Sequence, residues 1–241
     1  YNRVLLPEYV TAELSWEQLL KIKEDSLSKL NITMKSGVSI DTVNTKENII
    51  IDSQGKSHHF DSLILATGSR PFVPENAQLH LPGRFTIRKK DDADRLKKYL
   101  DNTNLAPEEQ HVVIVGGGLL GLELAAALKH KKVKITIIQR ASRLMERQLD
   151  RISSKLLAEE VQLRDIQIYF DNEVSTVFET ENANEIEIAL KSGRIITANA
   201  IVYTIGTIPN IEIAKESGIA CGRGVKVNQY LQTSNPNIYA I

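Results

Sequence analysis

The sequence predicts an α/β fold built from two related nucleotide-binding lobes, and two observations carry that reading. Residues 112–139 read VVIVGGGLLGLELAAALKHKKVKITIIQ, a buried strand, a glycine turn, a helix and a second strand in the order of a dinucleotide-binding βαβ unit. Two other strand ends, Leu65-Ala66-Thr67-Gly68 and Tyr203-Thr204-Ile205-Gly206, are alike, each an apolar run passing through a threonine to a glycine.

Each element follows in chain order. Ser15 with Gln18 forms a capping box for a helix whose apolar stripe is Leu19, Leu20, Ile22, Leu27 and Leu30. From Ile32 to Phe60, short runs broken by polar turns read as a strand followed by a β-hairpin or meander. Ser62 to Ala66 reads as a buried parallel strand ending in a glycine turn, a usual ligand position in open α/β sheets. Pro71 to Pro82 is loop-like, Asp91 to Tyr99 a charged helix, and a domain boundary falls near Ala106. Beyond the βαβ unit come a helix over 150–164, a strand over 166–170, an antiparallel layer over 173–179, 185–190 and 194–198, and a strand over 200–204.

The glycine turn fits G-x-G-x-x-G at Gly116, Gly118 and Gly121, with Leu119 and Leu120 between the last two. Gly116 permits the tight turn, Gly118 leaves room for backbone to approach a pyrophosphate, and Gly121 lets the helix pack close to the strand. An anion on the following helix N-terminus meets unpaired N–H groups and the positive end of the dipole.

Thirty basic and thirty acidic residues balance, so the composition does not point to nucleic acid as a partner. No apolar run approaches the roughly 20 residues needed to span a bilayer, and no signal peptide opens the chain, so no membrane association and a cytoplasmic location are expected. Cys221 is the single cysteine, which removes an internal disulfide or Cys-pair redox centre and reads as a small residue in a turn. Adjacent strand residues point to opposite faces, so His58 and His59 read as surface residues, and no metal site is expected. Starting at Tyr1 and stopping at Ile241, the chain reads as a fragment.

With these segments in place, the chain resembles the two-dinucleotide flavoprotein superfamily of pyridine nucleotide-dependent oxidoreductases. Leu65 to Pro71 looks like its ATG segment, Gly116 to Glu123 like its NAD(P) turn, and Gly206 to Asn210 like its G-x-x-P-N segment. Within it, Tyr1 to Leu6, Gly116 to Glu123 and Leu144 to Asp150 look most like the large subunits of NAD(P)H-dependent assimilatory nitrite reductases. The resemblance implies a three-layer fold with an incomplete FAD lobe: a partial FAD-binding domain over 1–105, an NAD(P)-binding domain over 106–222, and the return to the FAD domain over 223–241.

The resemblance also implies the cofactors and roles. Reduced nicotinamide delivers hydride to FAD, with iron–sulfur and sirohaem centres for nitrite reduction lying outside these residues, in a fused or partner domain. Glu123 positions the nicotinamide; a carboxylate there also stabilises a helix N-terminus by a few tenths to about 1 kcal/mol. Arg3, Ala66, Thr67 and Gly68 are expected near FAD, and Thr204 and Gly206 belong with the cofactor-binding residues. Pro7-Glu8 stands where many relatives have Ser-Lys, so a lysine contact to the flavin does not carry over.

Cofactor choice depends on the end of the second strand, where an acidic residue would favour NADH. Here stand Gln139 and Arg140; glutamine bonds a ribose hydroxyl and arginine pairs with a 2′-phosphate, so NADPH is expected to bind at least comparably to NADH. A homodimer is compatible with the resemblance. Two other functions share these motifs: a stand-alone NAD(P)H-dependent rubredoxin or ferredoxin reductase or NADH oxidase, and a nucleotide-binding module without catalysis. The 241 residues alone are expected to hold FAD negligibly and to be inactive as an enzyme.

Overall fold

The computed structural model describes residues 1–22, 29–182 and 184–241. They form two compact units, one of residues 1–22 and 71–206, the other of residues 23–70 and 207–241.

The N-terminal segment carries two short helices, α1 (Leu6–Val10) and α2 (Trp16–Leu19). The Ser15/Gln18 capping box is present, but the backbone turns extended at Leu20 and the helix ends after one turn. The long apolar stripe is therefore corrected: Leu20, Ile22 and Leu30 are exposed, Leu19 alone of the described ones is buried, and Leu27 lies outside the described residues. One turn satisfies the cap, and Leu20 and Ile22 beyond it stand exposed.

In the second unit, β1 (Ile40–Asn44), β2 (Ile49–Asp52) and β3 (Ser57–His59) form an antiparallel meander. Sequence reasoning expected a further strand near Ile32, but residues 32–35 are irregular and exposed, and the first strand begins at Ile40. Next comes β4 (Leu63–Leu65), which pairs in parallel with the last strand of the chain. It is not buried on both faces as expected: Leu65 is 6% exposed and Ile64 63%. Strand β5 (Ser69–Pro71) then leads into the first unit.

There the sheet is five-stranded and wholly parallel. Its strands are β6 (Arg84–Thr86), β7 (His111–Val115), β8 (Lys134–Ile138), β9 (Ile166–Tyr169) and, after the antiparallel strands β10 (Val174–Glu179), β11 (Ile186–Leu190) and β12 (Ile195–Ala198), β13 (Ala200–Tyr203). The order is β6-β13-β7-β8-β9. Three longer helices are α3 (Lys90–Asp101), α4 (Leu119–His130) and α5 (Arg151–Leu163).

Period-two alternation splits the parallel strands between two cores. Val112, Ile114, Ile135, Ile137 and Val202 pack with Leu6, Leu96, Leu124 and Leu128 from the helices. Val113, Val115, Ile138, Ile201 and Tyr203 pack with Val177, Ile186, Ile188 and Ile196 from β10–β12. This makes three layers: helices, parallel sheet, antiparallel sheet.

The chain returns to the second unit through β14 (Thr207–Pro209), which pairs with β5, then α6 (Glu212–Glu216) and β15 (Ile238–Ala240). Ala214, Ile219, Ile238 and Ala240 close a small core with Val43 and Leu65.

Candidate functional site

Strand order locates the site. From β7 the chain proceeds outward through β8 and β9, whereas β13 and β6 lie on the other side of β7, so the order reverses between β7 and β13. Ligands of open α/β sheets bind outside the carboxyl ends of the strands at such a reversal. Here those ends are Val115-Gly116 and Tyr203-Thr204.

The glycine turn sits at this point. Gly116 has φ +115, a conformation suited to glycine, and its N–H donates to Ile138 O at 2.8 Å. The Thr204 hydroxyl donates to Val115 O at 3.0 Å and to Gly116 O at 3.1 Å, so Thr204 braces the turn from the neighbouring strand. At Gly118 the backbone is extended, the residue caps α4 without a side-chain hydrogen bond, and an added Cβ would meet nothing within 4 Å. The Leu119 and Leu120 amides follow on the helix's first turn, where no capping side chain competes for them.

Gln139 stands behind the turn rather than at its edge. Its Oε1 accepts the Gly117 N–H at 2.8 Å, and its Nε2 donates to Arg143 O at 3.1 Å. Met145 N–H returns a bond to Gly117 O at 2.9 Å. Gly117, which the motif leaves free, is thus crowded where Gly118 is open: a Cβ there would stand 2.4 Å from Leu144 Cδ2. Arg140 is exposed and faces Glu173 at 3.9 Å, a carboxylate held below its ordinary range chiefly by Lys191.

Next to this loop is a cavity of about 420 Å³ lined by Ser142, Arg143, Arg151, Ser154, Lys155, Ala158 and Phe170. Three cations and no acid line it. The Ser154 hydroxyl donates to Leu144 O at 2.6 Å, which ties the cavity wall to the loop over the turn. Sequence reasoning missed these residues because they belong to a helix and a loop with no motif of their own; the cation spacing at 143, 151 and 155 is the one available signal.

Glu123, on the first turns of α4, is half-buried, and burial, followed by the charge of Glu8, raises its carboxyl above the ordinary value. Arg3 lies exposed on a 3-10 turn over Arg3–Leu5, in the same unit as the glycine turn. Its charge, after burial, lowers the Arg88 guanidinium.

Of the remaining predicted site residues, Ala66, Thr67 and Gly68 fall in the second unit and Gly206 at the end of the first. The Thr67 hydroxyl donates to Asn210 O at 2.6 Å, Asn210 Nδ2 donates to Thr67 O at 2.9 Å, and Asn210 N–H donates to Gly68 O at 3.0 Å. Arg70 adds a bond to Asn210 Oδ1 at 2.9 Å and an ion pair with Glu212 at 2.8 Å. The strand end at Leu65-Ala66-Thr67-Gly68 is therefore locked to the segment after β14, with Ala66, Thr67 and Gly68 exposed. Gly206, at φ +109, accepts from Phe72 N–H at 2.9 Å. Among the described residues there is no cluster of ligating side chains for a metal ion, and His58 is occupied by Asp52 at 2.8 Å. Among the described residues no helix is long and apolar enough to cross a membrane.

The donor set at the turn fits a dinucleotide: an uncapped helix start, space over Gly118, and a brace that leaves the exposed side of the turn clear. Fold and site together define a dinucleotide-binding α/β oxidoreductase architecture. The chain belongs to the pyridine nucleotide-disulphide oxidoreductase family, whose profile matches residues 1–241. It is 31% identical over 241 residues to the assimilatory nitrate reductase electron transfer subunit of Bacillus subtilis, covering 100% of this chain and 30% of that protein. To the nitrite reductase [NAD(P)H] of the same organism it is 32% identical over 243 residues, covering 100% of this chain and 29% of that protein. The crystal structure of a ferredoxin reductase from Rhodopseudomonas palustris superposes with a TM-score of 0.90 at 24% identity, covering 100% of this chain and 58% of that one. The chain thus spans about 30% of the length of the curated relatives it matches. With one cysteine, its own residues hold no redox disulfide.

Proposed function

We propose that this chain binds NAD(P)H on the Gly116–Gly121 turn and serves as the input module of a larger FAD-dependent oxidoreductase, which feeds iron–sulfur and sirohaem centres outside these residues and reduces nitrite. The observation that carries the reading is the turn itself, open over Gly118, braced by Thr204 and Gln139, and set at the reversal of strand order. When bound, the nicotinamide supplies a hydride and the flavin accepts it.

The chain's residues bind and orient. Gly116, Gly118, Leu119, Leu120 and Gly121 take the pyrophosphate by their amides and by the space they leave. Glu123, on the helix behind the turn, orients the nicotinamide. Arg3, Ala66, Thr67 and Gly68 serve FAD, and Gly206 ends the strand that lies beside the turn. Gln139 supports the turn from behind while Arg140 serves the adenosine ribose, and the cavity bearing Arg143, Arg151 and Lys155 gives this region a positive field, which favours the 2′-phosphate of NADPH. The nucleotide domain proposed from sequence, residues 106–222, contains β7, β8, β9 and β13, the strands whose ends frame the site.

The test is an anaerobic assay of the native full-length enzyme for nitrite consumption coupled to NADH or NADPH oxidation. Coupled turnover to ammonium supports the reading. Nucleotide oxidation that proceeds only with a ferredoxin, a dye or oxygen would replace it with a stand-alone flavoprotein reductase.

A further inference from the structure

One face of α5 builds the cavity beside the turn. Arg151, Ser154, Lys155 and Ala158 recur at spacings of three and four residues, which places them in one row, and Arg143 and Phe170 help to complete the lining. Arg151 and Lys155 are thus like charges one helical turn apart, an arrangement unfavourable on its own, and an anion held between them removes the repulsion. The volume, about 420 Å³, falls within the roughly 300–1,000 Å³ of small-molecule sites.

The acids nearby leave these cations largely uncompensated. Lys155 stands 3.7 Å from Glu159, but both side chains are exposed and such a pair contributes little. Asp150 feels the charge of Arg143, yet its carboxylate accepts the Ser153 N–H at 2.8 Å as the cap of α5. Arg143 donates to Glu146 O at 2.8 Å, an uncharged acceptor, and among the described residues Arg151 has no ion pair. The cavity wall is also fixed to the glycine turn. Ser154 Oγ donates to Leu144 O at 2.6 Å, Gln139 Nε2 donates to Arg143 O at 3.1 Å, and Gln139 Oε1 accepts the Gly117 N–H at 2.8 Å. The cations therefore hold a set position relative to a ligand carried on that turn.

We propose that this cavity is a binding site for a phosphate monoester, held directly by Arg143, Arg151 and Lys155, and that these three residues set the preference for a 2′-phosphorylated nucleotide. The two guanidinium groups offer planar forks of donors, the ammonium a point charge, and all three act together on a dianion. Discrimination thus extends past Arg140, at the end of β8, onto the helix that follows. The choice of the 2′-phosphate rests on the nucleotide reading of the turn, whereas the anion site rests on the cavity itself. Free phosphate carries the same chemistry, and the two sources are separable by experiment.

The test uses the native full-length enzyme and a variant carrying Arg151→Gln and Lys155→Gln, titrated calorimetrically with NADP+, NAD+ and inorganic phosphate. Both positions are exposed, so the variant should fold, and circular dichroism checks that it does. Losing two charged contacts is expected to weaken NADP+ by about tenfold or more and to leave NAD+ unchanged, and Lys155→Arg alone should keep native affinity. Phosphorus NMR supplies a second readout. A phosphate monoester takes its second charge at about pH 6, and neighbouring cations favour the dianion, so the midpoint of the 2′-phosphate signal should fall on binding and return towards the free value in the variant. Binding of inorganic phosphate that the variant loses, with both nucleotides unaffected, keeps the anion site and assigns it to free phosphate. Affinities for all three probes that match the native values overturn the site, as does an equal loss of NADP+ and NAD+. A native enzyme that binds neither nucleotide loses the nucleotide reading alone, and the phosphate titration then decides the cavity.

Discussion

The carbonyl oxygen of Gly116 stands 2.0 Å from where a Cβ on Gly121 would lie, and Thr204 Oγ1 stands 2.7 Å from the same point. The nearer obstacle is backbone, held in place by the Thr204 hydroxyl, so it cannot swing aside as a side chain would. Gly121→Ala is therefore expected to destabilise the first unit by about 1–3 kcal/mol through overpacking. Urea unfolding measures this; a midpoint equal to that of the native chain would show that the helix shifts freely.

Gly118 offers the opposite case. Nothing lies within 4 Å of its Cβ position, and its φ of −87 is open to any residue. Gly118→Val should leave the melting temperature unchanged and abolish nicotinamide nucleotide binding, because the added methyl groups occupy the space reserved for a pyrophosphate. Isothermal titration with NADPH and NADH reads the outcome, and undiminished affinity in a folded variant would remove the turn from the site.

The cofactor preference can be probed at Gln139, which supports the turn from behind. A carboxylate at this position would still accept the Gly117 N–H, but its second oxygen would face Arg143 O, where the amide now donates at 3.1 Å. Gln139→Glu should loosen the loop and add a charge that repels a 2′-phosphate, lowering NADPH affinity more than NADH affinity. The native chain is expected to bind NADPH at least comparably to NADH. A roughly tenfold or larger NADH preference, worth about 1.4 kcal/mol, would be incompatible with this assignment.

In the second unit, stability should depend on acid pH through Asp52. The bond to His58, followed by the Lys56 amide, holds its carboxyl below the ordinary range against a smaller opposing effect of burial, and the Gln54 amide adds to this. A depressed folded-state pKa contributes stability that is present above the unfolded value and is lost as pH falls through the folded value. Asp52→Asn should flatten the acid limb of thermal stability, monitored by circular dichroism. An acid limb identical in the variant would assign the sensitivity to other groups.

Much of the first unit is legible in the sequence because its signals are local. The apolar run of β7, the glycines and the alanines of α4 lie within a single stretch, and Asp150 caps α5 by accepting the Ser153 N–H. Strand β6 is not legible. It is three residues long and opens with Arg84, 1% exposed, whose guanidinium is met by Pro82 O at 3.2 Å and by Val177 O at 3.1 Å. A buried arginine bonded to a carbonyl on a distant strand leaves no trace in hydrophobic periodicity. For the same reason the inward role of Gln139 is hidden: its partners, Gly117 and Arg143, are chosen by the path of the loop. The Ser15 capping box reports a helix start correctly and says nothing of its length.

Phe72 N–H meets Gly206 O at 2.9 Å, so the long internal segment of the first unit leaves and re-enters the second across one hydrogen bond. From the standpoint of the second unit, residues 71–206 are an insertion whose two ends coincide. Such a segment can be lengthened without changing the span its host must bridge, but residues 1–22, whose Leu6, Val10 and Leu19 complete its core, tie it to the start of the chain and would have to accompany it in any exchange.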